Sequence, residues 1–331
     1  MKIVIPLAGF GTRLRPHTWS KPKPLVTVAG KPVLGHIIDD LLPLQPEEFI
    51  FIYGWLGEQI ERYVTDTYPQ LQARYVEQAE LKGQAHALSL VREHVRGELL
   101  IVFVDTLFQA DLGALRRLDG DGAIFVKEVD DPRRFGVVVL DERGFITRLV
   151  EKPATMDNRL AVIGLYYFRR AEALFSAIDE LMARNIQTKG EFYLADAINL
   201  LLEAGARLRP LPVESWEDCG TAETLLETNR TLLERQRPAP PGLPGVTIIP
   251  PVLIAPGATV ERAVIGPHVS IGAGATVRDA VVRDTIIDSG ATVERALIEH
   301  SLLGPRASLR GRFARVNLGE NSASDEGDGS W

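Results

Sequence analysis

The sequence predicts an α/β protein: a mixed, largely parallel sheet with helices on both faces, followed by a small parallel β-helix. Three observations carry this. Short apolar runs alternate with helical patterns from residue 1 to about 235. A cluster of prolines and glycines then interrupts the chain. Beyond it, aliphatic residues recur at a spacing of five or six up to about residue 313.

The first piece reads in order. Lys2–Leu7 is a short apolar strand, and Pro32 opens a helix through Leu42, since proline is tolerated at the first helical position. Glu48–Tyr53 is a strand and Leu56–Tyr68 a helix. Gln84–Val95 is helical, and Leu99–Val104 is an unbroken apolar run of the kind buried on both faces. Asp111–Leu118 is helical and Ala123–Lys127 a strand. Val137–Leu140 and Phe145–Val150 flank Asp141-Glu142-Arg143-Gly144 as a hairpin. Ala161–Phe168 is a strand, with helices at Leu194–Glu203 and Thr221–Arg235. Alternating strand–helix units favour parallel pairing, with ligands at the carboxyl ends of the strands.

Residues 236–245 hold Pro238, Pro240, Pro241, Pro244, Gly242 and Gly245, a semi-rigid linker. The repeat in 246–313 runs Ile249, Ile254, Val260, Ile265, Ile271, Val277, Val282, Ile287, Val293, Ile298, Leu303, Leu309. A helix would need a period of 3.6 and a strand a period of 2. A period near six is that of a β-helix whose aliphatics all point inward, here over roughly four coils. Residues 314–331 carry Glu320, Asp325, Glu326 and Asp328 among Ser, Gly and Asn, and read as a flexible acidic tail.

Composition narrows the function. The 331 residues carry a formal charge of −7, a poor basis for nucleic-acid binding. No apolar run reaches the roughly 18–20 residues that span a bilayer. One cysteine, Cys219, excludes a disulfide framework and fits a reducing compartment, so the expectation is a cytoplasmic protein without membrane or nucleic-acid partners. The charge is uneven, however. No Asp or Glu occurs before Asp39, while Lys2, Arg13, Arg15, Lys21, Lys23 and Lys31 do. A cationic segment with glycines is an anion site.

That segment holds Leu7-Ala8-Gly9-Phe10-Gly11-Thr12-Arg13-Leu14-Arg15-Pro16 directly after the first strand. Its glycines let backbone N–H groups turn toward a phosphate. Leu14 breaks the G-x-G-x-x-G dinucleotide pattern, and no Gly-Lys-Ser/Thr of a P-loop is present. Lys21-Pro22-Lys23-Pro24-Leu25 follows, with prolines stiffening the backbone on both sides of Lys23. Together these make a polyphosphate clamp.

The two stretches, with Gly30-Lys31-Pro32, strongly resemble the sugar-phosphate nucleotidyltransferases. Gly83-Gln84-Ala85-His86-Ala87, Glu151-Lys152-Pro153, Gly190-Glu191-Phe192-Tyr193-Leu194 and Trp216-Glu217-Asp218-Cys219-Gly220-Thr221 extend the likeness over residues 1–235. The resemblance implies a Rossmann-like catalytic domain, a left-handed hand for the β-helix, and a reaction of NTP with sugar 1-phosphate to give NDP-sugar and pyrophosphate. A phosphate oxygen is the nucleophile and is already ionised, so positioning and charge neutralisation are what is needed.

The resemblance also implies roles. Leu7, Ala8, Gly9, Gly11, Thr12 and Arg13 would hold the nucleotide, with Gln78 and Gly83 reading the base. Arg13 and Lys23 would be catalytic, with Lys23 at the reacting phosphates. Asp105 and Asp218 would hold Mg2+. Gly136, Glu151, Lys152 and Gly164 would take the sugar phosphate. Val104 and Val162 depart from the family pattern beside the metal and sugar positions. A glutamine amide is donor and acceptor at once and suits the imide edge of thymine or uracil, which favours dTTP or UTP with glucose 1-phosphate. The alternatives are a mannose-1-phosphate guanylyltransferase-like enzyme, a nucleotide-sugar-sensing subunit without catalysis, and a bifunctional enzyme whose β-helix is an acyltransferase. The β-helix reads as an assembly element of a homo-oligomer.

Overall fold

The structure is a computed structural model that describes residues 1–239 and 241–313. The expected tail at 314–331 and Pro240 lie outside the described residues. The chain divides into two compact units, Met1–Leu232 and one that begins at Leu233. The helix Ala222–Gln236 runs through that boundary and takes in Gln236, the first residue of the expected linker.

The first unit is built on a nine-stranded sheet. Its order is Ala73–Glu77, Glu48–Tyr53, Lys2–Pro6, Leu99–Val102, Leu160–Phe168, Gly122–Glu128, Leu208–Pro212, Ile146–Glu151, Gly136–Leu140. The first four strands are parallel. Leu160–Phe168 then runs antiparallel to both neighbours, and the hairpin at the far edge is antiparallel as well. The sheet is mixed, as expected, with the parallel pairing continuous over one half and interrupted by antiparallel strands in the other. The reason is local: a hairpin and a reversed strand need no helical crossover.

Alternation along the strands buries both faces. Val4 and Ile50 join Ala85, Leu88, Leu174, Ile198 and Tyr166 in one core. Ile3, Ile5, Phe49 and Phe51 point the other way and are also buried. The helix Ala171–Ala183 presents Ala171, Leu174, Phe175, Ile178 and Leu181 to the core at helical spacing. That helix, the edge strand Ala73–Glu77, Leu208–Pro212 and the pair Thr106–Gln109 with Ser215–Asp218 lie outside the elements expected from sequence.

The second unit is three stacks of short parallel strands. Val260 pairs with Val277, Val277 with Val293, and Val293 with Leu309. Two further stacks pass through Ile248, Ile265, Val282 and Ile298, and through Ile254, Ile271, Ile287 and Leu303. Most of the expected inward aliphatics form one buried core. Ile249 is the correction. It is 45% exposed, because its neighbour Ile248 is the residue in register with Ile265. Leu309 is 39% exposed, on a strand that no later described strand covers.

Candidate active site

The turn after the first strand opens a cleft of about 370 Å³ at the carboxyl end of the parallel strands. Leu7, Ala8, Gly9, Gly11, Thr12, Arg13 and Lys23 line one side, with Gln78, Gly83, Phe103, Val104, Asp105, Glu191 and Gly220 among the rest. Leu7 continues the sheet by donating its N–H to Ile52 O at 2.6 Å. Gly11 has φ +60°, and a Cβ there would lie 2.9 Å from Lys23 Cβ and 3.2 Å from Thr18 Cγ2. Only glycine fits both the left-handed backbone and that approach. Thr18 Oγ1 donates to Gly11 O at 2.8 Å and pins the turn. Lys23 opens a short 3₁₀ turn, Lys23–Leu25, between the two prolines. Its Nζ reaches Asp105 Oδ1 at 2.6 Å.

Asp105 sits in the turn after Leu99–Val102 rather than at the end of a longer strand. The next strand, Thr106–Gln109, pairs antiparallel with Ser215–Asp218, so that Asp218 faces Thr106. Cys219 N donates to Asp105 O at 2.8 Å, which fixes the two aspartates on adjoining backbone. Asp218 Oδ1 accepts from Gly220 N at 2.8 Å. A Cβ on Gly220 would stand 2.8 Å from that oxygen and 3.3 Å from an Arg13 guanidinium nitrogen, so Arg13 lies beside Asp218. The Asp105 carboxylate is 56% exposed, whereas Lys23 is 11% exposed. Among the described residues no three His, Cys, Asp or Glu side chains form a cage. Two carboxylates beside a glycine turn are a donor set that suits a divalent cation preferring oxygen ligands. Cys219 is buried, and burial pushes its thiol up to about 12, so it stays a neutral thiol.

Gln78 follows the edge strand Ala73–Glu77 and is 5% exposed. Its N–H donates to Tyr53 O at 2.7 Å. Its side-chain Nε2 lies 3.2 Å from Gly83 O and 3.2 Å from His86 Nδ1. Gly83 has φ +105°, and a Cβ would meet Phe192 O at 2.5 Å. That approach is used: Ala85 N donates to Phe192 O at 2.9 Å, and Phe192 N to Lys82 O at 2.8 Å. The Phe192 segment thereby brings Glu191 to the cleft.

The expected sugar residues lie to one side. Gly136, Glu151, Lys152 and Gly164 do not line the cleft itself. Gly136 and Glu151 are partners across the hairpin, and a Cβ on Gly136 would be 2.9 Å from Glu151 Oε2. Lys152 N donates to Phe135 O at 2.9 Å, and Phe135 packs edge-on against Trp216 with ring centres 5.0 Å apart. Gly164 lies behind Phe103, which does line the cleft; a Cβ would be 3.1 Å from Phe103 Cβ. Burial, then the charges of Glu191 and Glu151, raises the Tyr193 phenol, so both carboxylates act on one ring. Sequence reasoning assigned no part to Phe103, Glu191 or His86. The motifs Gly83–Ala87 and Gly190–Leu194 were the available signal for two of them.

Residues 2–235 match the family described as nucleotidyl transferase. A UTP–glucose-1-phosphate uridylyltransferase of Haloferax volcanii is 35% identical over 241 residues, 71% of this chain and 97% of that protein. A glucose-1-phosphate thymidylyltransferase of Streptomyces griseus is 31% identical and covers 94% of this chain and 89% of its own length. The bifunctional protein GlmU of Methanocaldococcus jannaschii is 34% identical over 71% of this chain, which spans 55% of that protein. Among solved structures, a candidate glucose-1-phosphate thymidylyltransferase from Bacillus anthracis, in complex with sucrose, superposes with a TM-score of 0.61 at 26% identity. It covers 73% of this chain and 98% of its own.

Proposed function

The chain belongs to the nucleotidyl transferase family, and we propose that it makes an NDP-sugar and pyrophosphate from an NTP and a sugar 1-phosphate. The observation that carries this reading is the cleft. A glycine turn, Arg13, Lys23 and Asp105 line it where parallel strands end, and backbone pairing holds Asp218, at the end of Ser215–Asp218, beside Asp105. The relatives' substrates support glucose 1-phosphate with UTP or dTTP.

The chemistry is an in-line displacement. An oxygen of the sugar phosphate forms a bond to the α-phosphorus. The bond from that phosphorus to the bridging oxygen breaks, and its electron pair leaves with pyrophosphate. Backbone N–H groups of Gly9 and Gly11 cradle the triphosphate, with Leu7, Ala8 and Thr12 completing the turn. Arg13 and Lys23 offset the charge that grows on the leaving group. Lys152 takes the sugar phosphate, Glu151 the sugar hydroxyls and Gly136 a close approach of the ring, while Gly164 makes room for Phe103, which lines the cleft. Asp105 and Asp218 are the residues that would hold a divalent cation, which when bound neutralises polyphosphate charge. The oxygen-only donor set favours magnesium. An NTP substrate fits a cytoplasmic reaction, and among the described residues no helix is long and apolar enough to cross a membrane.

Retention of Lys23, Asp105 and Asp218 favours catalysis over a sensing role. The three parallel stacks support a β-helix domain at 246–313, whose left hand rests on the family resemblance, joined by residues 236–245 to a catalytic domain of 1–235. We read it as the assembly element of a homo-oligomer. The test is pyrophosphate release across a panel of NTPs and sugar 1-phosphates. A pyrimidine NTP with a hexose 1-phosphate should react with Mg2+ and stop on addition of EDTA. Equal turnover without a divalent ion would remove the metal assignment.

A further inference from the structure

We propose that His86 is a positioning residue that fixes which way the Gln78 amide faces, and with it which base edge the cleft accepts. The inference rests on Gln78 being the base reader. The geometry is closed on one side. Gly83 O can only accept, so the side-chain atom of Gln78 at 3.2 Å from it is the NH2 nitrogen, Nε2. The same nitrogen lies 3.2 Å from His86 Nδ1. Nε2 can only donate, so Nδ1 must be the unprotonated, accepting nitrogen of a neutral imidazole. Both hydrogens of the amide are then engaged inside the protein. The acceptor oxygen is left as the reading atom.

This corrects the expectation that the amide donates and accepts at once toward the base. Gln78 offers an acceptor only, so its partner must bring an N–H. The imide of uracil or thymine does so at N3. A base that presents a bare ring nitrogen at that place meets an oxygen with no hydrogen between them.

Protonation of His86 would set a hydrogen on Nδ1 against the amide hydrogens and free Gln78 to turn. The charged groups facing the ring are Lys82 and Glu80, which are themselves paired. Burial, then the Lys82 ammonium, keeps the imidazole below its ordinary range, so the neutral form prevails near pH 7. The selection of base is therefore a property of two side chains, one of which touches no substrate.

Steady-state kinetics of the full chain with UTP and glucose 1-phosphate test this, with Mg2+ present, from pH 5 to 8. His86→Ala should raise the KM for UTP about five- to tenfold with kcat little changed, the scale of one neutral hydrogen bond. His86→Asn sets an amide oxygen where Nδ1 stands. It should restore KM at pH 7 and abolish the rise in KM that the wild type should show at acid pH. A structural role alone would not give that rescue or that pH profile. An unchanged KM in His86→Ala overturns the inference, as does an acid rise that persists in His86→Asn. Gln78→Ala separates the two levels. If it leaves KM unchanged, the base-reading role fails and the inference with it. If it raises KM while His86→Ala does not, only the inference fails.

Discussion

Lys23 is held between two prolines and tied to Asp105 at 2.6 Å, so its ammonium is aimed before any substrate arrives. A charge fixed in advance costs no reorganisation as negative charge moves to the leaving group. Lys23→Ala and Asp105→Asn should each lower kcat by roughly 10²-fold or more, with melting temperature little changed. Full turnover in either variant would mean that the site is elsewhere. Gly83 makes a different kind of demand. Its φ of +105° and the 2.5 Å approach to Phe192 O leave no place for a methyl group. Gly83→Ala should cost about 1–3 kcal/mol in stability and weaken NTP binding, since the same turn seats Gln78. Urea denaturation alongside the KM for NTP would show both.

At the scale of elements, the sequence carried the strands and helices whose patterns are unbroken. Leu194–Glu203 and Glu48–Tyr53 begin and end where the pattern does. The expected helix Gln84–Val95 stops at Ser89 and becomes a 3₁₀ turn at Arg92–His94. Leu88, Val91 and Val95 stand three and four residues apart and all pack into the core, so the pattern reads as one helix although the backbone changes at Leu90. Thr106–Gln109 and Ser215–Asp218 were illegible for a physical reason. Each is four residues long and gains its meaning only from the other, more than a hundred positions away. That pairing is what joins Asp105 to Asp218. The glycine turn, by contrast, is local, and its residues stand together in the stretch that carries the family resemblance. The period of the C-terminal repeat was legible, but the inward partner of Ile265 is Ile248 and not Ile249, a slip of one that reverses the face. The register makes a measurable claim. Ile271 is wholly buried in the second core, so Ile271→Ala should cost about 2–5 kcal/mol, whereas Ile249→Ala should cost far less. Equal losses would mean that the register is wrong.

At the scale of the molecule, every residue assigned to the chemistry lies in the first unit, and the family match ends at residue 235. Each coil of a repeat needs its neighbours to bury its core. A chain ending at Gln236 should keep transferase activity and change its oligomeric state or lose stability, as read by light scattering and melting temperature. An unchanged assembly would show that the repeat does not hold copies together. Loss of chemistry in a folded fragment would show that it completes the site.

Attack of a sugar-phosphate oxygen on the α-phosphorus of an NTP can be followed by isotope. The direct measurement uses glucose 1-phosphate labelled with ¹⁸O at its non-bridging phosphate oxygens, reacted with UTP and Mg2+, with products weighed by mass spectrometry. Attack at the α-phosphorus leaves all of the label in the NDP-sugar and none in pyrophosphate. Label in the released phosphate species, or pyrophosphate release without labelled NDP-sugar, would contradict it.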